Sequence, residues 1–164
     1  MVAFNERSAL AHLKALHIED SKQKHPSLPY HSSPAFSARK TNGITRCTIH
    51  FLQLKGHQAE RINTSGRYID KSEVVTDCVG YKRKIGSGSW IPGTGTKGSA
   101  DISSTIFGRS VKIEVKNAAT HDRQSESQRN YQQQVERSGG LYIIATSFAQ
   151  FLNWYYSNIA SNDK

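Results

Sequence analysis

Three charged residues in the middle of the chain have the types and the spacing for metal-assisted chemistry: Asp101, Glu114 and Lys116. They lie on two β-branched runs, 100–106 and 110–116, separated by a short glycine-containing segment, and this pattern predicts a β-hairpin. The second run alternates apolar and charged side chains, so Glu114 and Lys116 share the face opposite the apolar one. Asp101 begins the partner run, and we expect its side chain to reach the same face.

Two carboxylates beside an ammonium group form a candidate metal site. Carboxylate oxygens suit Mg²⁺ and Mn²⁺, so Asp101 and Glu114 are predicted ligands, with the Val115 carbonyl as a further one. An ion held there acidifies water and stabilises charge on a phosphoryl group. Lys116 is placed to position the attacking water or to neutralise developing charge. An ordinary half-buried strand, whose charged side chains simply face water, has the same pattern. Such a strand requires no catalytic or binding role.

Asp101 followed by Glu114-Val115-Lys116 resembles the signature of the PD-(D/E)XK nucleases. Other segments narrow the resemblance to the VRR-NUC branch, the virus-type replication-repair nucleases. These segments are a glutamine-containing helix that begins after Arg123, a Gly-Gly pair before an apolar strand, and an upstream Arg-x-Asn at Arg61. Together they cover about 43–151 of the chain.

The resemblance implies a restriction-endonuclease-like fold and metal-dependent hydrolysis of phosphodiester bonds in DNA. It implies that Asp101, Glu114 and Lys116 are catalytic, and that Gln128 helps to hold the site or its water. A substrate with a branched or Holliday-junction-like structure, in replication, recombination or repair, is also a family-level expectation. So is a homodimer, because an enzyme that cuts two strands symmetrically suits a two-fold axis.

Three features of this sequence qualify the resemblance. Alanine occupies position 100, where the signature has proline, and the segment 43–55 lacks the acidic residue that many relatives offer as an extra metal ligand. Gln128 lies three residues after Ser125, which matches a capping box and gives Gln128 a purely structural alternative. A short loop at 118–124 places His121 near the presumed site.

The balance of charge points to a polyanionic partner. Lysine and arginine outnumber aspartate and glutamate by 22 to 13, for a net charge of +9. Nucleic acid is the usual partner of such a chain, while an acidic membrane surface or simple solubility are the alternatives. Arg61 suits phosphate because its planar fork matches phosphate oxygens, although a structural ion pair is equally compatible. The candidate nucleic-acid contacts are Arg61, Lys82, Arg83, Lys84, Lys97 and Arg123.

The segment 65–97 is an irregular insertion that is basic, rich in glycine and aromatic. Short strands are predicted within it at 67–70 and 73–79. Such a segment can follow a phosphate backbone and stack a base on Trp90, or it can be a solvated loop with Trp90 in the core.

The pattern along the chain predicts three parts. Residues 1–20 hold a helix that Asn5 is placed to cap, 21–42 is a proline-rich segment typical of a flexible basic linker, and 43–164 form the nuclease-like domain. The order of elements in this domain predicts an α/β fold with a small mixed β-sheet flanked by helices, which agrees with the restriction-endonuclease-like core that the resemblance implies. Its predicted elements are a helix at 44–55, a strand at 58–64, the hairpin, a helix at 125–138, a strand at 141–146 and a helix from 147.

Composition sets the remaining expectations. The mean hydropathy is −0.60 and no apolar run approaches the length of a membrane span, so we expect a soluble protein without a membrane partner. Neither a signal peptide nor a CxxC motif is evident, which favours a cytoplasmic protein, of a bacterial or phage-infected cell, with reduced cysteines. No small-molecule cofactor is expected besides the metal. A DNA-binding module that does not cut, and a nuclease that acts on RNA, are the alternatives.

Overall fold

The computed structural model describes residues 3–64, 66–93, 95–116 and 123–159. Within these ranges the chain forms four helices and eight strands. The helices are α1 (Glu6–Lys24), α2 (Thr41–Leu54), α3 (Glu126–Arg137) and α4 (Phe148–Asn158). The strands are β1 (Gln58–Arg61), β2 (Arg67–Ile69), β3 (Glu73–Thr76), β4 (Lys82–Ile85), β5 (Ser89–Ile91), β6 (Ile102–Ile106), β7 (Arg109–Val115) and β8 (Leu141–Ala145).

The central sheet has the strand order β1-β6-β7-β8. Strand β6 is antiparallel to both β1 and β7, and β8 runs parallel to β7 after a crossover through α3. The predicted α/β class, with a small mixed sheet flanked by helices, is confirmed. The predicted order of helix, strand, hairpin, helix, strand and helix is also the observed one, with boundaries that differ by a few residues.

The hairpin that was predicted from alternation is formed by β6 and β7, with Ile102 opposite Ile113. Its turn consists of Phe107 and Gly108, whose φ values of 46° and 75° match the two-residue turns that suit the twist of paired strands. The first arm is two residues shorter than expected. Asp101 lies in a bend immediately before β6 rather than inside the strand.

One face of the sheet carries the hydrophobic core, which α1, α2 and α4 cover. The apolar residues of β7 that alternate with charged ones, among them Val111 and Ile113, are fully buried there. Aromatic rings fill the layer between helices and sheet, and Phe51 contacts the rings of Phe148, Phe151 and Tyr155. Among the described residues, no helix has the length and apolar character needed to cross a membrane.

The N-terminal segments lie against this core. Helix α1 has a capping box at Asn5 and ends at Lys24, four residues beyond the predicted end. It contacts both α2 and α4. Residues 25–40 form no helix or strand, yet this segment runs close to α2, because a Cβ added at Gly43 would lie 2.2 Å from the Ser37 carbonyl oxygen.

The insertion between β1 and β6 is more regular than expected. The predicted strands at its start correspond to β2 and β3, but two further strands, β4 and β5, were not predicted. Strand β2 pairs with β5 and strand β3 pairs with β4, both antiparallel. We call residues 66–93, which hold these two strand pairs, the ribbon.

Candidate active site

Asp101 is held between two strands at one end of the central sheet. Its Oδ2 accepts a hydrogen bond of 2.9 Å from the Val115 backbone N–H, at the end of β7. Its carbonyl oxygen accepts one of 2.8 Å from the N–H of Ile62, just beyond β1. Because Ile102 is opposite Ile113, the next pair along the hairpin brings Asp101 beside Glu114. The register of the hairpin therefore supports the expectation that these two carboxylates lie on one face.

Glu114, Lys116 and Gln128 form a closed set of side-chain contacts. The Lys116 ammonium lies 3.2 Å from Glu114 Oε1 and donates a hydrogen bond of 3.2 Å to Gln128 Oε1. The Gln128 side-chain amide donates to Glu114 Oε1. Glu114 is 4% exposed and Lys116 is 8% exposed. Charged groups are seldom buried this far unless they are paired, so the contacts explain how both charges are tolerated.

Gln128 both caps α3 and joins this set. The Ser125 hydroxyl accepts a hydrogen bond from the Gln128 backbone N–H, and Gln128 Oε1 accepts one of 2.9 Å from the Ser125 N–H, which completes a capping box. The same Oε1 accepts from Lys116. The two interpretations of Gln128 offered by the sequence are thus compatible, because one side chain makes both sets of contacts.

Gly98 allows the loop before Asp101 to lie against the first turn of α3. Its φ of 85° is in the left-handed region, which favours glycine. A Cβ at this position would lie 2.3 Å from the Ser127 carbonyl oxygen and 2.8 Å from the Gln128 backbone nitrogen. Glycine therefore sets the distance between the Asp101 loop and the helix that carries Gln128.

Tyr142 is a site residue that the sequence did not reveal. It lies on β8 opposite Lys112 in the parallel register, and therefore on the same face of the sheet as Glu114. Burial raises its pKa, and the charges of Glu114 and then Asp101 act in the same direction. Its ring contacts Tyr131 of α3, with ring centroids 6.4 Å apart. Tyr142 was hidden in an apolar run, and the signal that identifies it is the pairing of β8 with β7.

The donor set fits a hard divalent ion. Asp101 continues the hairpin register opposite Glu114, which puts two carboxylates on one face, and Mg²⁺ typically binds through one or two carboxylates together with waters. Helix α2 adds no acidic residue. Within the described residues, no group of three or more His, Cys, Asp or Glu side chains is placed to hold a metal. The predicted set has two carboxylates and the Val115 carbonyl.

Two of the predicted phosphate-binding residues lie on segments next to the site. Lys97 and Arg123 are exposed, on the loop before Asp101 and on the segment before α3. Arg61 ends β1 opposite Ile102, and its guanidinium donates a hydrogen bond of 3.0 Å to the Asn42 side chain of α2. That contact places Arg61 on the helix-covered face, away from Glu114. The predicted loop residue His121 falls within 117–122, which lie outside the described residues.

Lys82, Arg83 and Lys84 are exposed on β4 of the ribbon rather than at the site. The Lys84 ammonium lies 2.6 Å from Asp70 Oδ2, and the Arg83 guanidinium lies 3.4 Å from Asp77 Oδ2. The hydrogen bond from Lys84, followed by those from Ser72, lowers the pKa of Asp70 to about 2. Exposed pairs of this kind contribute little free energy, so their cations remain available to another anion.

Comparisons of the chain with protein-family models, with curated proteins and with solved structures found no match. The resemblance to the VRR-NUC nucleases therefore rests on the motifs of the sequence. The geometry adds that Asp101, Glu114, Lys116 and Gln128, which are separate in sequence, are neighbours at one end of the sheet.

Proposed function

We propose that the chain is a Mg²⁺- or Mn²⁺-dependent endonuclease that hydrolyses phosphodiester bonds in DNA, of the VRR-NUC branch of the PD-(D/E)XK nucleases. One observation carries this proposal: a buried Glu114–Lys116 pair, bridged by Gln128, lies beside Asp101 where the central strand β7 ends. The strand order and the net charge of +9 support it as well.

Asp101 and Glu114, with the Val115 carbonyl, are the residues that would hold the metal. When bound, such an ion acidifies water and offsets negative charge on a phosphoryl group. Lys116 lies beside the Glu114 carboxylate and donates a hydrogen bond to Gln128, a position that suits it to orient the attacking water and to offset charge as it develops. Gln128 fixes Lys116 and Glu114 relative to each other, so its role is positioning.

DNA is the proposed substrate and partner, with a branched structure and a homodimeric enzyme as the family-level expectations. The exposed cations that would contact phosphates lie on several elements, some beside the site and others on the ribbon or on the helix-covered face: Arg61, Lys82, Arg83, Lys84, Lys97 and Arg123. We place the reaction in the cytoplasm. The competing hypothesis is a DNA-binding module that keeps the fold and does not cut.

A cleavage panel tests the nuclease. Single-stranded, linear duplex, flapped and four-way-junction DNA are each incubated with Mg²⁺, Mn²⁺ or EDTA, beside the variants Asp101→Asn and Glu114→Gln. We expect cutting that needs the metal and is lost in both variants. Glu60→Gln is the matched control, because Glu60 is an exposed carboxylate on β1, and it should cut like the natural chain.

Four outcomes would contradict the proposal in different ways. Full activity of Glu114→Gln, or cutting in EDTA, would refute the metal-dependent mechanism. Binding of every substrate without cutting would favour the DNA-binding module. A matching RNA panel decides the nucleic acid, since preferential cutting of RNA would overturn the assignment to DNA.

A further inference from the structure

The ribbon leaves the central sheet beside the candidate active site. Strand β1 ends at Arg61 and strand β6 begins at Ile102, and these two residues are paired. Both ends of the insertion therefore emerge at the end of the sheet where Asp101 lies. The two chain segments that join the ribbon to the sheet lie side by side, because a Cβ added at Gly95 would lie 2.7 Å from the Thr64 side chain.

The ribbon concentrates the exposed apolar surface of the chain. Among the described residues, eight of the eleven large apolar side chains that are exposed belong to it, which is unlike a solvated loop. Tyr68 and Trp90 are two of the three aromatic groups among them, at 62% and 61% exposed. They are directly opposite each other on β2 and β5, so they share one face. Trp90 is therefore not tucked into the core, which was one of the two expectations for it.

Each of these two rings lies over the glycine that immediately precedes the paired strand. A Cβ added at Gly88 would lie 1.9 Å from Tyr68 Cζ, and one added at Gly66 would lie 2.7 Å from Trp90 Nε1. One side of each ring therefore covers backbone, and the other side faces water. Rings that are already held in place lose little freedom when a flat partner stacks on them.

The charge around the rings indicates what the flat partner is. The ribbon carries five lysine and arginine residues against three aspartate and glutamate residues, and Lys97 follows it. A partner that offers flat faces and negative charge together is a nucleic acid whose bases are unpaired, because bases within a duplex are already stacked on each other.

We propose that Tyr68 and Trp90 form a stacking site for unpaired bases of the nucleic-acid substrate. The site binds the single-stranded part of a flap, branch or gap while the adjacent duplex reaches the carboxylates. This inference rests on the nucleic-acid partner of the proposed function and does not depend on cleavage.

Binding in EDTA tests the stacking site separately from catalysis. Fluorescence anisotropy measures the affinity of the full chain for a labelled single-stranded oligonucleotide and for an abasic one of equal length and charge. Trp90→Leu and Tyr68→Leu should each weaken binding of the normal oligonucleotide about fivefold or more, the lower end of what stacking on one base supplies. Binding of the abasic oligonucleotide should stay unchanged.

Two further variants sharpen this measurement. Gly88→Ala keeps Tyr68 but forces its ring to move, so it should weaken binding in the same direction. Tyr30→Leu removes a more exposed tyrosine outside the ribbon, at 78% exposed, and should have no effect. In Trp154→Phe the only tryptophan left is Trp90, and its fluorescence should be quenched by the normal oligonucleotide and not by the abasic one.

The outcomes separate the inference from the proposed function. Equal affinities in all variants, or equal losses for the normal and the abasic oligonucleotide, would overturn the stacking site. So would loss of a dimer by Trp90→Leu in sedimentation without DNA, since the rings would then be a surface for self-association. If the chain cuts nothing and still shows the base-dependent losses, the stacking site stands and the nuclease fails. If the chain cuts DNA and Trp90→Leu binds like the natural chain, the nuclease stands and the stacking site fails.

Discussion

The Lys116 ammonium lies 3.2 Å from Glu114 Oε1, and both residues are more than nine-tenths buried. Glu114 lies on β7 and Lys116 directly follows that strand, where its backbone N–H donates to the Ala145 carbonyl, so the backbone fixes their spacing. A buried pair of this kind adds little net stability, but removal of one partner leaves an uncompensated charge. The pair therefore links the chemistry of the site to the stability of the sheet.

This link can be measured by unfolding in urea. Lys116→Met removes the cation beside Glu114 and should lower the free energy of unfolding by about 3 kcal/mol. Adding Glu114→Gln removes the remaining charge, so the double variant should be more stable than Lys116→Met alone. Lys112→Met is the control, because Lys112 contacts the Ser103 hydroxyl, and it should cost less than about 1 kcal/mol. A double variant that is less stable than Lys116→Met would show that the charges are not coupled.

Gln128 can be separated into its two roles by comparison with Ser125. Gln128→Ala and Ser125→Ala each remove one half of the capping box, so each should cost about 1 kcal/mol of stability. Only Gln128→Ala also removes the contacts with Lys116 and Glu114, and only this variant should slow cleavage of the preferred DNA. Equal cleavage rates for the two variants would limit Gln128 to the cap.

Gly98 is expected to be sensitive to the addition of a single methyl group. Gly98→Ala combines a φ of 85° with a Cβ that would lie 2.3 Å from the Ser127 carbonyl oxygen, so the loop or the helix must move. Gly139→Ala is the matched control, since its φ is 79° and no atom lies within 4 Å of the added Cβ. We expect a cost of about 1 kcal/mol for Gly139→Ala and clearly more for Gly98→Ala, from thermal unfolding. Cleavage should fall only in Gly98→Ala.

Histidines between the helices predict how stability depends on pH. His50 Nε2 lies 3.0 Å from His17 Nδ1, and burial, followed by the charge of His17, lowers the pKa of His50 in the folded chain. The unfolded chain therefore binds more protons as the pH falls below about 6.5, the ordinary value for histidine. Stability is fully present above this pH and decreases as the pH falls toward the folded pKa.

Urea unfolding at pH 7.5 and pH 5.5 measures this dependence. The free energy of unfolding should be lower at pH 5.5, and His50→Phe should reduce the difference. It should not abolish the difference, because burial also lowers the pKa of His12. His25→Phe replaces an exposed histidine and should leave the difference intact. A difference of the same size in His50→Phe would remove His50 as a cause.

The two cysteines should differ sharply in reactivity. Cys47 is buried on α2, where burial raises the pKa of its thiol to about 11, and Cys78 is exposed in the ribbon. Because thiolates and not thiols attack disulfide reagents, an aromatic disulfide should modify Cys78 alone in the folded chain. Cys78→Ser should then show no fast reaction, and both thiols should react in urea. Fast modification of Cys47 would indicate that α2 opens readily.

Patterns among neighbouring residues predicted much of this structure, whereas contacts between residues far apart in the sequence were harder to predict. Alternation along 110–116 predicted the hairpin, and the Ser125–Gln128 spacing predicted the cap, because each depends on neighbouring residues alone. Strands β4 and β5, of four and three residues, are too short to carry a recognisable pattern. Tyr142 was missed for another reason, since its place at the site depends on the pairing of β8 with β7.

The candidate site shows the same division. Asp101, Glu114 and Lys116 were selected by type and spacing, and the structure brings them together. The basic residues were selected by charge, and charge does not tell which way a side chain points in the fold. Arg61 illustrates this, because its contact with Asn42 turns it away from Glu114.

The approach of Thr64 to Gly95 makes the ribbon an appendage with a narrow base. A loop whose ends are already adjacent costs little more entropy when it lengthens, since the cost grows only with the logarithm of its length. Residues can thus be gained or lost beyond this base without a change in the register of β1 against β6. The sheet and the appendage are free to evolve at different rates, so the surface that meets a partner can diversify while the carboxylates stay where they are.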